Sequence, residues 1–155
     1  MKIKLVRATM NDAEKLWQMQ VEAFKVLLNK YQDYGTNPAS ETLNRTVERL
    51  SMPETYFYFI EYEGKFAGAI RVVDKNDDVT PKRISPLWVM PDFRGKGIAQ
   101  VAITLAEDIH GNNNWELSTI KEEKGNCYLY EKMGYRLTGE SEKINDKMNI
   151  VFYKK

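Results

Sequence analysis

Within residues 89–100, Val-Met-Pro-Asp-Phe-Arg-Gly-Lys-Gly-Ile-Ala-Gln, an apolar strand meets a helix through a turn rich in glycine and cationic side chains. Gly95 and Gly97 reach backbone angles that a Cβ makes costly, so successive N–H groups can face one concavity with no side chain in the way. The helix beginning near Gly97 adds its unpaired N–H groups and the positive end of its dipole. Arg94 brings a planar fork suited to phosphate oxygens, and Lys96 a mobile point charge. These residue types at this spacing predict a diphosphate-binding turn.

Two other phosphate loops share some of these residues. Gly95 and Gly97 begin a GxGxxG pattern, and Glu116 follows about twenty residues on, as a dinucleotide fingerprint would have it. Gln100 stands where that pattern needs its third glycine, and Glu116 falls early in its strand, so dinucleotide binding is discounted. A Walker A loop is excluded, because Gly95-Lys96-Gly97 lacks both the four-residue spacing and the following Ser or Thr. Further along, Asn126 and Tyr130 are four residues apart and project from one face if helical. Read alone, Asn126 serves equally as a helix cap and Tyr130 as a core residue.

The turn Arg94-Gly95-Lys96-Gly97-Ile98-Ala99 resembles the signature of the GNAT superfamily of acetyl-CoA-dependent N-acetyltransferases: Arg or Gln, two residues, Gly, one residue, then Gly or Ala. Ile84-Ser-Pro-Leu-Trp-Val-Met-Pro91 is similar to that family's fourth strand, and Asn126-Cys-Tyr-Leu-Tyr130-Glu-Lys-Met-Gly134-Tyr135 to its second conserved block. The resemblance implies acetyl-CoA as acetyl donor and a primary amine as acceptor, the amine attacking directly in a ternary complex. It implies that Arg94, Gly95, Lys96, Gly97, Ile98 and Ala99 hold the diphosphate. Leu87, Trp88 and Val89 would bond the pantetheine arm through their backbone, Asn126 would bond the arm or the phosphates, and Tyr130 would place its phenol near the thioester sulfur. A non-catalytic acyl-CoA sensor is the alternative from another class.

Such a transfer makes three chemical demands. The departing thiolate needs a proton or a hydrogen bond, which a phenol supplies because it stays protonated at neutral pH. The thioester oxygen needs a donor, and a strand N–H near Val89 is the candidate. The amine must arrive unprotonated, so a base or a desolvated channel is required. Glu61 and Asp33 are the carboxylates considered for the base, each with a solvated role as its rival. Tyr31 and Asp33 belong to a polar, aromatic loop, Tyr-Gln-Asp-Tyr-Gly-Thr-Asn-Pro, which is the candidate acceptor wall. His110, the only histidine, is read as a helix-end residue stabilised by the dipole and not as a base. Cys127 is read as a small core residue, and no metal ligand set is present.

The elements that must position these groups follow from periodicity. Residues 2–7 alternate as a strand, and Leu16, Met19, Ala23, Phe24, Leu27 and Leu28 recur at helical spacing up to about Tyr31. Asn37 and Pro38 predict the N-cap and first turn of a second helix running to about Leu50. Residues 56–62 and 66–73 read as a hairpin about Glu63-Gly64-Lys65, and Asp74 to Pro81 as an exposed turn. A strand over 83–90, a helix over 97–110 and a parallel strand over 115–119 make one βαβ unit. A helix over 126–133 ending at Gly134 and strands over 135–139 and 147–154 complete the order. The sum is a mixed sheet with helices on both faces, an α/β arrangement of α+β type that matches the GNAT fold. Pro86 inside the fourth strand calls for a bulge or a splay, because it cannot donate to a ladder. In the resembling family the parallel fourth and fifth strands do part.

The 155 residues fit one domain, 1–155, with no internal repeat or linker. With 23 Lys+Arg against 22 Asp+Glu, nothing favours nucleic acid or an anionic membrane as partner. No run of about twenty apolar residues is present to span a bilayer. A single cysteine forms no intrachain disulfide and the start Met-Lys-Ile-Lys lacks a secretion signal, so a reducing cytoplasm is the simplest setting. The C-terminal strands leave a homodimer open.

Overall fold

A computed structural model describes residues 2–155. Strand β1 (Ile3–Arg7) leads into helix α1 (Ala13–Tyr31), then α2 (Leu43–Ser51) and the antiparallel strands β2 (Thr55–Tyr62), β3 (Lys65–Val73) and β4 (Lys82–Val89). Helix α3 (Ile98–His110), β5 (Trp115–Ile120), α4 (Lys124–Lys132), β6 (Arg136–Asn145) and β7 (Met148–Lys154) follow. The seven strands form one sheet in the order β1-β2-β3-β4-β5-β7-β6.

Both faces of the central strands are covered, which explains why β2 and β3 read as almost unbroken apolar runs. Phe57, Phe59, Ala69 and Trp88 face α1, packing with Leu16 and Ala23. Tyr58, Ile60, Ile70 and Val72 face the other way, onto Ile98, Ala102, Ile103 and Ala106 of α3 and Tyr130 of α4. Gly68 is where β3 and β4 come closest: a Cβ there would lie 2.1 Å from the Trp88 carbonyl oxygen.

Beta4 and β5 run parallel but pair only at Lys82–Trp115 and Arg83–Glu116. Beyond that point they diverge. On its other edge β4 carries a bulge, Ile70 pairing with Leu87 and Val72 with Ile84, so Ser85 and Pro86 together stand against Arg71. Arg71 Nε donates to the Ser85 carbonyl at 2.5 Å, tying the bulge down. Pro86 therefore sits where the sheet asks it for no ladder bond, with the bulge on one edge and the splay on the other.

Three sequence expectations are corrected. Asn37 caps only a 3₁₀ turn, Pro38–Ser40, its side chain accepting from Ala39 N at 2.7 Å. The second helix starts at Leu43 with Thr42 as its cap. The sixth strand runs to Asn145, well past residue 139, although most of it is exposed and it carries no apolar alternation. His110 has more than a helix dipole: Nδ1 lies 2.7 Å from Asp74 Oδ2 and Nε2 2.9 Å from the Tyr58 hydroxyl. Asp74 is thus buried, while the turn it begins is otherwise mostly exposed.

Candidate active site

Two cavities open where β4 and β5 part, and they share Phe24, Leu27, Leu87, Asn126 and Tyr130 as common walls. The first, about 450 Å³, is bounded by Val89, Gly95, Gly97, Ile98, Ala99 and Glu123. The second, about 300 Å³, is bounded by Asp33, Ser85, Pro86, Ser118, Glu142 and Ile150 among others.

The turn at the end of β4 has the shape its glycines foretold. Gly95 and Gly97 sit at φ +78° and +75°, and a Cβ on either would meet nothing within 4 Å. Gly97 is the N-cap of α3, so its concavity faces the free N–H groups of that helix. Ile98 lies beneath, 2 % exposed, and anchors the turn to the core. The side chain of Arg94 does a different job from the one its fork suggests. Its Nε donates to Val89 O at 2.9 Å and its Nη2 to Ala23 O at 3.0 Å, so the guanidinium clamps the turn to β4 and α1. Lys96 is exposed and is not among the cavity's walls.

The strand edge is set by its period of two. Met90 N–H bonds Ala67 O at 2.7 Å, and the Trp88 carbonyl faces Gly68, so the even-numbered residues here turn their backbone groups to β3. Leu87 and Val89 therefore turn theirs toward the gap, where β5 no longer pairs. The expected contact through Trp88 is revised accordingly. Its backbone faces β3, and its ring packs edge-on against Phe24 and Phe57.

One face of helix α4 is turned to the cleft. Glu123, its N-cap, Asn126 and Tyr130 recur at i, i+3 and i+7, and all three line the larger cavity. Tyr130 is 9 % exposed; burial pushes its phenol up to about 12, with Cys127 nearby adding to the effect. It is a protonated donor throughout the neutral range. Cys127 is half-buried, its Sγ 3.8 Å from the carbonyls of Ile120 and Lys121.

The other sequence candidates fall in three places. Asp33 is buried in the smaller cavity's wall, where it accepts from Thr36 N at 3.0 Å and from the Thr36 hydroxyl. Tyr31 is buried too, but its hydroxyl donates to Glu123 Oε2 at 2.5 Å, and Lys30 Nζ reaches the same oxygen at 2.8 Å. Burial works against the charge of Glu123, yet these two hydrogen bonds outweigh it and hold the carboxyl below its ordinary value. The arrangement ties α1 to α4 across the cleft and makes Tyr31 a brace. Glu61 stands apart: it pairs with Lys4 at 3.3 Å and borders neither cavity. Glu123 was missed in the sequence. Its signal was there, three residues before Asn126 and seven before Tyr130.

The family model described as Acetyltransferase (GNAT) family matches residues 14–135. The chain belongs to this family. No curated protein matches the sequence, but many solved structures match the fold. The ribosomal-protein-S18-alanine N-acetyltransferase from Escherichia coli has a TM-score of 0.75 at 10 % identity, over 98 % of this chain and 92 % of its own. The PaiA N-acetyltransferase from Thermoplasma acidophilum, in complex with coenzyme A, has a TM-score of 0.71 at 16 % identity and 100 % coverage of both chains. The microcin C7 self-immunity acetyltransferase MccE, in complex with acetyl-CoA and AMP, has a TM-score of 0.71 at 19 % identity, over 98 % of this chain and 91 % of its own. For this GNAT chain, the likeness supports the overall fold. Among the described residues no helix is long and apolar enough to cross a membrane, and no cluster of three His, Cys, Asp or Glu is placed to hold a metal ion.

Proposed function

We propose that this chain, as a single domain, transfers the acetyl group of acetyl-CoA to a primary amine, both molecules being held at once and the amine attacking directly. The observation that carries this reading is the meeting of two cavities at Tyr130, one bounded by the glycine turn that starts α3 and the other by a loop and the last two strands. Two neighbours in fold, MccE and PaiA, are described as complexes with acetyl-CoA and coenzyme A.

The residues present fit the donor. A Cβ on Gly95 or Gly97 would project into open space but be strained at their positive φ, and the free N–H groups of α3 begin at this turn, as a diphosphate requires. Leu87 offers strand-edge groups to an extended amide-bearing arm, with Asn126 opposite, while the Val89 carbonyl is held by Arg94. When bound, acetyl-CoA supplies an acetyl thioester open to attack by a neutral amine. The Val89 N–H is aimed at the gap where negative charge on the thioester oxygen needs a donor. Tyr130 holds its proton at the phenol oxygen and is placed to give it to the sulfur that leaves. The smaller cavity's apolar walls, Phe24, Leu27, Ile150 and Phe152, favour the uncharged form of an amine. Glu61, paired with Lys4, is given no part.

Release of free CoA thiol from acetyl-CoA is measured across a panel of amines, with acetyl-CoA affinity measured alongside. Release that depends on an added amine supports transfer. Tight acetyl-CoA binding without release under any amine would replace the enzyme with an acyl-CoA sensor.

A further inference from the structure

The smaller cavity has a composition that narrows its occupant. Its walls include no Lys, Arg or His, so an acceptor bearing a carboxylate or a phosphate would find no opposite charge there. They do include two carboxylates, and these differ. Asp33 is occupied by its own turn, each of its oxygens accepting from Thr36. Glu142 stands exposed on β6 at the cavity's edge, and among the described residues it is in no ion pair. The remaining walls mix hydrocarbon, such as Ile84, Ile120, Ile150 and Phe152, with neutral polar side chains, such as Ser118 and Asn126.

The space is also closed on one side. Asn145 Nδ2 donates to the Tyr31 carbonyl at 2.9 Å, tying the β6–β7 hairpin to the end of α1. Asn149 bonds Glu122 through both its backbone N–H, at 2.8 Å, and its side chain, at 2.9 Å, fixing β7 to the segment before α4. A volume of about 300 Å³ amounts to roughly ten water volumes. That suits a small molecule; a peptide running through would have to break these ties.

On the reading given under Proposed function, we propose that the acceptor is a compact primary amine with no acidic group, and that Glu142 is the residue that selects its positive charge. The ammonium is drawn to Glu142 at the rim, gives its proton to solvent there, and the neutral amine then moves inward to the Tyr130 junction.

The test uses saturating acetyl-CoA and five probes: phenethylamine, hexylamine, spermidine, lysine and a tetrapeptide with a free N-terminus. Phenethylamine or hexylamine is expected to exceed lysine and the peptide in kcat/KM by at least a hundredfold. Glu142→Gln should raise the KM of the preferred amine by about two- to fivefold, the loss of one exposed ion pair, with kcat unchanged. Calorimetric affinity of that amine for the CoA-loaded protein should fall by the same factor, acetyl-CoA affinity should stay level, and Glu142→Asp should recover most of the loss. Preference for lysine or the peptide would overturn the acceptor class while leaving transfer intact; preference for spermidine, which also lacks an acidic group, would support it. An unchanged KM in Glu142→Gln would remove Glu142. Acetyl-CoA binding with no release under any probe would overturn both this inference and the transferase reading.

Discussion

The larger cavity at the splay takes more than half of its walls from one stretch of chain, and the smaller one takes its walls from many. That stretch, residues 87–100, rests on two positive-φ glycines and a strand edge left unpaired. The second gathers Phe24 and Leu27 from α1, Asp33 and Pro38 from the following loop, Ser118 from β5, and Glu142 and Ile150 from the last two strands. On the proposed reading, the first cavity holds the donor at one local turn, and the second, drawn from distant segments, sets which amine is accepted.

The contrast can be broken from either side. The largest effect is expected from Gly97→Val, which puts a branched side chain at φ +75° into the concavity. Acetyl-CoA affinity by calorimetry should fall at least a hundredfold with the fold kept; a change of only a few-fold would mean the turn is not the donor site. Gln20→Met acts on the other region. Gln20 is 1 % exposed and bonds Pro38 O at 2.9 Å and Glu41 Oε1 at 2.8 Å, holding the loop that carries Asp33 and Pro38. A loss of about 1–3 kcal/mol in stability is expected from the unpaired groups, with amine KM raised and acetyl-CoA affinity within twofold. Equal damage to both affinities would show that the two regions are not separable.

A smaller effect sharpens the junction itself. The Tyr130 phenol is raised from about 10 to about 12, so its contribution to stability is full below pH 10 and is lost as pH climbs through 12. Relative to Tyr130→Phe, wild type should therefore lose up to about 2–3 kcal/mol between those limits in denaturant titrations. Parallel curves for the two proteins would place the phenol in contact with water.

The same contrast explains what could be read from the chain. The turn over Arg94 to Ala99 was legible because it is local: glycine, charge and helix start lie within six residues. The face of α4 was legible at Asn126 and Tyr130, and Glu123 was missed because its role as brace depends on Tyr31 and Lys30, far away in sequence. Tyr31 was misplaced for the same reason. Glu61 was read as facing the cleft, whereas its register opposite Lys4 turns it to an ion pair on β1. The side-chain fork of Arg94 pointed to phosphate, but carbonyls of Val89 and Ala23 took it first. The extent of β6 was hidden because an exposed edge strand needs no apolar alternation.

The central claim is that Tyr130 supplies the proton where the two cavities meet, and steady-state kinetics of Tyr130→Phe test it most directly. The account predicts a kcat lower by about ten- to a thousandfold, with acetyl-CoA affinity nearly intact and the amine KM little changed. An unchanged kcat at every pH would contradict it and remove Tyr130 from the chemistry.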